Sequence, residues 1–308
     1  MRNAFAAELK DLAAIDERIV LLSGDIGNRL FNNYKKEFPG RFFNCGVAEA
    51  NMTSMAAGMA LCGLRPITYT ITTFNTYRCL EQIRLDVCYH NVPVIIVGVG
   101  AGLSYAGLGG THQSLEDITM LRMLPNMTVI CPGDAVEVRL ALRAAVKHEG
   151  PVYIRLGKKN EPVVHKQRPS FVIGKGIIVR EGSDVCLLST GNMLPVVIDA
   201  ASQLQQYGVT ARVVSMHTVK PLDDELLKEV FANFGIIATV EEHSLQGGFG
   251  GSIAEWVIDH QPLKGRLCRI GIADEFLHGC GNQENARNMT GLTPHQISEK
   301  ILAFMGHG

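Results

Sequence analysis

Three polar residues stand out because their surroundings are apolar or rich in glycine. Glu49 lies in Gly46-Val47-Ala48-Glu49-Ala50-Asn51, where a helix rich in Ala and Met begins. A carboxyl there is either a first-turn carboxylate favoured by the helix dipole or a desolvated acid that hydrogen-bonds a ligand. His112, in Thr111-His112-Gln113, falls between a Gly-rich loop and a helix expected to start near Ser114. Polar loop groups on a rigid scaffold often bind ligands, and a loop histidine can equally face solvent. Arg155 ends the apolar run Pro151-Val152-Tyr153-Ile154-Arg155. Ligands of open α/β sheets bind beyond the carboxyl ends of the strands, so Arg155 is an anion binder or half of a structural ion pair. The glycine runs say less. Gly98-Val99-Gly100-Ala101-Gly102 has Leu103 where a dinucleotide loop needs Gly, and no Gly-Lys-Ser/Thr follows Gly107-Leu108-Gly109-Gly110. Gly247-Gly248-Phe249-Gly250-Gly251 opens a helix, where it could admit a phosphate or close packing.

The elements that must hold these residues alternate between strand and helix. Strands are expected at 18–23, 66–71, 92–99, 127–131 and 152–156, and helices at 49–62, 77–90 and 135–147. Continuous Val/Ile/Leu runs of this kind suit a parallel sheet covered on both faces. Periodicity stops between Gly157 and Ser170, then a second alternation begins with strands at 184–189, 211–215, 235–241 and 267–271. Its helices are expected at 194–207, 223–233, 250–260 and 294–304. The reading is two α/β domains, 1–165 and 166–308. That count agrees with a length of 308 residues. A formal net charge of -1 offers no field for nucleic acid. The longest apolar run, Val92 to Leu103, is too short and too rich in glycine to span a membrane, and no secretory leader is visible, so a cytoplasmic chain is expected. The eight cysteines form no C-x-x-C pair and read as reduced structural thiols.

Taken in order, several segments resemble the transketolase family. They are Arg41-Phe42-Phe43-Asn44-Cys45-Gly46-Val47-Ala48-Glu49-Ala50-Asn51-Met52, Phe74 followed by Glu81-Gln82-Ile83-Arg84, and Gly110-Thr111-His112-Gln113-Ser114-Leu115-Glu116-Asp117. Leu124-Pro125-Asn126-Met127-Thr128-Val129, Gly150-Pro151-Val152-Tyr153-Ile154-Arg155 and Thr239-Val240-Glu241-Glu242-His243 extend the resemblance over nearly the whole chain. It implies two three-layer α/β/α domains with mostly parallel sheets: a pyrimidine-binding domain and a transketolase C-terminal domain. It also implies thiamine diphosphate, with Glu49 hydrogen-bonded to the aminopyrimidine ring so that the cofactor activates its own thiazolium carbon. Phe74, with Tyr77 as a weaker candidate, would stack on that ring. Asp25 would lie near cofactor and substrate, His112 would face the substrate, and Arg155 would bind an anionic group such as phosphate.

Two departures qualify the resemblance. Usual members carry a His near the position of Gly100 and an acidic pair at Gly107-Leu108, so a non-standard ketose donor is expected. The family's Gly-Asp-Gly to Asn metal motif is also missing, since Gly24-Asp25-Ile26-Gly27 does not match it. Mg²⁺ and its ligands are therefore expected on a separate N-terminal, diphosphate-binding subunit in an α2β2 heterotetramer, with none on this chain. The implied activity is transfer of a two-carbon ketol unit between sugars. The β subunit of a 2-oxo acid dehydrogenase or acyloin-forming system, and a non-catalytic scaffold paralogue, remain the alternatives.

Overall fold

The computed structural model describes residues 1–158, 160–261 and 264–306. Among these described residues, twelve strands form two sheets. In chain order they are β1 Ile19–Ser23, β2 Phe42–Asn44, β3 Arg65–Ile71, β4 Ile95–Val99, β5 Thr128–Ile130, β6 Val152–Leu156, β7 Ile177–Arg180, β8 Val185–Ser189, β9 Ala211–Ser215, β10 Thr218–Lys220, β11 Ile236–Ser244 and β12 Arg266–Ile272. The first sheet runs β10-β5-β6-β4-β3-β1-β2, and only β10 is antiparallel. The second runs β12-β11-β8-β9-β7, with β7 antiparallel. Every residue of β1, β4, β6 and β8 is buried, which explains their unbroken apolar sequences: helices cover both faces. All eight cysteines are free; six are buried, Cys45 is half-buried and Cys62 is exposed.

Three expectations need correction. The helix expected over 77–90 is broken into short turns at Thr72–Thr76 and Leu80–Gln82, followed by a π-helix over Ile83–Tyr89. A π-turn takes up one extra residue without ending the helix, so the apolar pattern continues while the register shifts. The helix expected near Ser114 starts at Asp117, because Ser114 is held in an antiparallel bridge to Gly102. Chain order also does not divide the sheets cleanly. β10, from the second half of the sequence, pairs with β5 at the edge of the first sheet. The segment between the sheets is pinned to the first: the Val164 and His165 N–H groups donate to Asp134 Oδ2, and the His165 ring bonds Glu137 at 2.7 Å.

Candidate active site

The carboxyl ends of β1, β3, β4 and β6 open together on one edge of the first sheet, and the candidate residues follow each of them. Gly24 and Asp25 follow β1. Asp25 is exposed in a left-handed conformation (φ 55°), where its carboxylate accepts a 2.9 Å hydrogen bond from Asn44 Nδ2. Gly24 is glycine because a Cβ there would lie 3.0 Å from Thr70 Cβ and 3.3 Å from Glu49 Cγ. Glu49 opens the Glu49–Leu61 helix and is only 1% exposed. A buried carboxylate requires a donor, and Arg78 provides it: Nη1 donates to Glu49 Oε2 at 2.7 Å. The same guanidinium lies 4.6 Å from the centre of the Phe74 ring, which is half-buried on the turn after β3.

A row of rings continues from Phe74. His112 meets Phe74 edge-on at 5.2 Å, and Tyr105 meets His112 edge-on at 6.2 Å. Lys158 Nζ lies 4.8 Å from the centre of the Tyr105 ring. The row is fixed from behind. Thr73 Oγ1 donates to the Thr111 carbonyl at 2.7 Å, and Thr111 Oγ1 bonds His112 Nδ1 at 2.9 Å. Burial lowers the pKa of His112 below its ordinary value, so the imidazole is neutral near pH 7 and can accept or donate one hydrogen bond.

Arg155 corrects the sequence reading. It is 3% exposed; its Nε donates to Asp117 Oδ2 at 2.8 Å, and its Nη2 donates to Asp117 Oδ1 and to the Ser114 and Glu242 carbonyls. Burial pushes the Asp117 carboxyl up, but Arg155 and His243 outweigh it and hold that carboxyl below the usual carboxylate range. Of the two readings open from sequence, the structure shows the ion pair, and one further bond from Nη2 ties Arg155 to the Glu242 carbonyl of β11. The residue that sequence reasoning missed is three positions on. Lys158 has no carboxylate partner among the described residues and reaches the row of rings. The usable signal was its place just past the end of β6. Tyr77 is also committed, since its hydroxyl donates to Glu116 Oε2 at 2.5 Å and accepts from the Glu116 N–H at 3.1 Å. That clamps the Ser114–Glu116 turn, leaving Phe74 as the stacking candidate.

The glycine run 247–251 proves to be packing. The N–H groups of Phe249 and Gly250, at a helix start, donate to the fully buried Glu241 carboxylate at 2.6 and 2.7 Å. A Cβ at Gly248 would lie 2.2 Å from Glu241 Oε2. No phosphate is needed there.

Residues 1–163 match the family described as "Transketolase, pyrimidine binding domain", and residues 174–297 match "Transketolase, C-terminal domain". This chain belongs to the transketolase family. It is 36% identical over 298 residues to the 6-deoxy-6-sulfo-D-fructose transketolase subunit SqwH of Clostridium sp. (strain MSTE9), covering 96% of this chain and 92% of that protein. It is 34% identical over 307 residues to an apulose-4-phosphate transketolase subunit of Phocaeicola vulgatus, covering 99% and 97% respectively. A solved structure titled "Split gene transketolase, inactive beta4 tetramer" is 35% identical and superposes with a TM-score of 0.90 over 98% of this chain and 97% of that one. The similarity to these three thus runs through both domains. Among the described residues no group of three or more His, Cys, Asp or Glu is placed to hold a metal ion, and no helix is long and apolar enough to cross a membrane.

Proposed function

We propose that this chain is the C-terminal subunit of a two-chain, thiamine-diphosphate-dependent transketolase that moves a two-carbon ketol unit from a ketose donor to an aldose acceptor. The observation that carries this reading is the pairing of buried Glu49 with the Phe74 ring across the Arg78 guanidinium. Arg78 supplies the test of fit. A flat, nitrogen-bearing cation already makes both contacts that a pyrimidine ring would make, a hydrogen bond to Glu49 and a stack on Phe74. The space between the two residues therefore accepts a flat heterocycle once Arg78 turns outward.

When bound, thiamine diphosphate supplies the electron sink that lets a carbon–carbon bond beside a carbonyl break and re-form. This chain's residues do the rest of the holding. Glu49 fixes the ring through a ring nitrogen, and Phe74 fixes its plane. His112, kept neutral by burial, reaches a substrate oxygen. Asp25, exposed next to Gly24, which itself packs against the Glu49 side chain, accepts hydrogen bonds from sugar hydroxyls. Lys158 takes over the anion-binding role expected of Arg155.

Mg²⁺ and the diphosphate need hard oxygen ligands. On this reading those ligands belong to an N-terminal, diphosphate-binding subunit in an α2β2 assembly, in a reducing cytoplasm that suits the free cysteines. The sulfonated and branched sugars in the names of the two relatives make a non-standard anionic ketose the donor of choice for testing. Co-expression with an N-terminal transketolase subunit, followed by a panel of ketose phosphates and sulfonates, tests the reading. Ketol transfer by the assembled complex supports it, and pyruvate decarboxylation in its place would overturn it.

A further inference from the structure

Position 100 has no side chain, and another residue fills its place. Gly100 sits at φ 77°, in the left-handed region that favours glycine. A Cβ added there would fall 1.8 Å from Tyr105 Cε2 and 2.0 Å from Cδ2. The Tyr105 ring can therefore lie where it does only over a glycine. The backbone that delivers it is rigid. Gly102 and Ser114 exchange hydrogen bonds, and the Leu103 N–H donates to buried Glu242 Oε1 at 2.8 Å. Leu103 and Ala106, on either side of the turn, are both buried.

The ring itself is half-buried, between the His112 edge and the Lys158 ammonium, and its hydroxyl has no hydrogen-bond partner among the described residues. A phenol held this firmly by its ring, with its polar end unmatched, is arranged to meet a ligand. The order along the row then defines the ligand. Phe74 marks the cofactor end, His112 and Tyr105 follow, and Lys158 closes the row with a positive charge.

We propose that Tyr105 is a specificity-determining residue: its hydroxyl bonds the hydroxyl next to the reacting carbonyl of a hydroxy-aldehyde whose anionic end lies at Lys158. Gly100 is the residue that makes room for it. This rests on the transketolase reading above, so the test uses binding as well as turnover. The complex of this chain with its N-terminal subunit, loaded with cofactor, is titrated by calorimetry with D-ribose 5-phosphate and with 2-deoxy-D-ribose 5-phosphate. Wild type is expected to bind the hydroxylated sugar phosphate about tenfold more tightly, the worth of one hydrogen bond in a desolvated site.

Tyr105→Phe keeps the ring, so it should weaken only the hydroxylated ligand and bring the two affinities within about twofold, with an unchanged melting temperature. Gly100→Ala displaces the ring and should erase the preference in the same way. A preference that survives both substitutions overturns the proposal, as does a wild-type complex that binds neither sugar phosphate. A complex that shows the preference but transfers no ketol unit from any ketose supports the role of Tyr105 and overturns the transketolase reading instead.

Discussion

At the scale of single residues, two cations near the end of β6 look alike in sequence and differ entirely in environment. Arg155 is enclosed with Asp117, and removing one partner of a buried ion pair leaves the other uncompensated. Arg155→Met should lower the unfolding free energy by about 3–5 kcal/mol, read from urea unfolding. Lys158 has no such partner among the described residues, so Lys158→Ala should leave the urea midpoint in place. In the assembled enzyme it should raise KM for an anionic substrate about 10–100-fold, the loss of one charge-assisted hydrogen bond, with kcat little altered. The reverse pattern would return the anion to Arg155. Glu49→Gln keeps shape and burial but removes the carboxyl. It should reduce kcat of the assembled complex by at least about 100-fold, while the variant chain retains its circular dichroism spectrum. Glu49 and His112 stood out in the sequence from their apolar or glycine-rich surroundings, whereas Asp25 and Phe74 came only from the family resemblance, because no local pattern marks them. Lys158 was not legible, because it lies among the polar residues that read as a linker. Tyr105 was missed because nothing local shows that Gly100 leaves space for its ring.

At the scale of elements, the long buried strands and the helices with clear apolar faces could be read directly, because sheet burial on both sides imposes continuous Val/Ile/Leu runs. What could not be read was short or non-local. β10 is three residues, Thr218–Lys220, and its partner β5 lies some ninety positions earlier; no local pattern records such a pairing. The π-helix over Ile83–Tyr89 keeps an apolar face while shifting register, so periodicity alone reads it as α. The junction at β10 also carries a pH dependence. His217, next to β10, is fully buried with its ring stacked on Phe171 at 3.9 Å, and its Nδ1 bonds the Thr218 hydroxyl at 2.9 Å. Burial pushes its pKa down to about 4 from an ordinary 6.5; Glu137 and Asp223 favour its charged form, and His165 opposes it. Between those pH values the unfolded chain binds the proton and the folded chain does not. The contribution is therefore full above pH 6.5 and is lost as pH falls towards 4, a change on the order of 3 kcal/mol. His243, pushed down to about 4 by burial, acts in the same direction. Glu241, pushed up to about 7 by burial against the bonds from Gly250 and Phe249, acts oppositely, losing stability as pH rises through 7. His217→Phe keeps the stacked ring and removes the titration. Its unfolding free energy plotted against pH should be shallower than wild type by about one proton between pH 6.5 and 4.

At the scale of the whole molecule, both hydrophobic domains close, yet the face around the site does not. Val47, just before the Glu49–Leu61 helix, Leu61 at its end and Tyr89 at the end of the π-helix are 74%, 64% and 79% exposed, and exposed large apolar side chains are what an interaction surface uses. Val47 stands two residues before Glu49, so a partner that covered it would also wall the space between Glu49 and Phe74. A second subunit on that surface would bring the metal ligands that the described residues lack and would exclude water from the ring held by Glu49 and Phe74. The chain alone, supplied with thiamine diphosphate and Mg²⁺, should therefore show no ketol transfer. Adding the N-terminal subunit should restore turnover, with activity rising to a plateau at one partner per chain. Hydrogen exchange of residues 47–61 and 83–89 should slow over the same titration. Robust turnover by the isolated chain would show that it carries a complete cofactor site. Activity on mixing without protection of those segments would place the partner on another face.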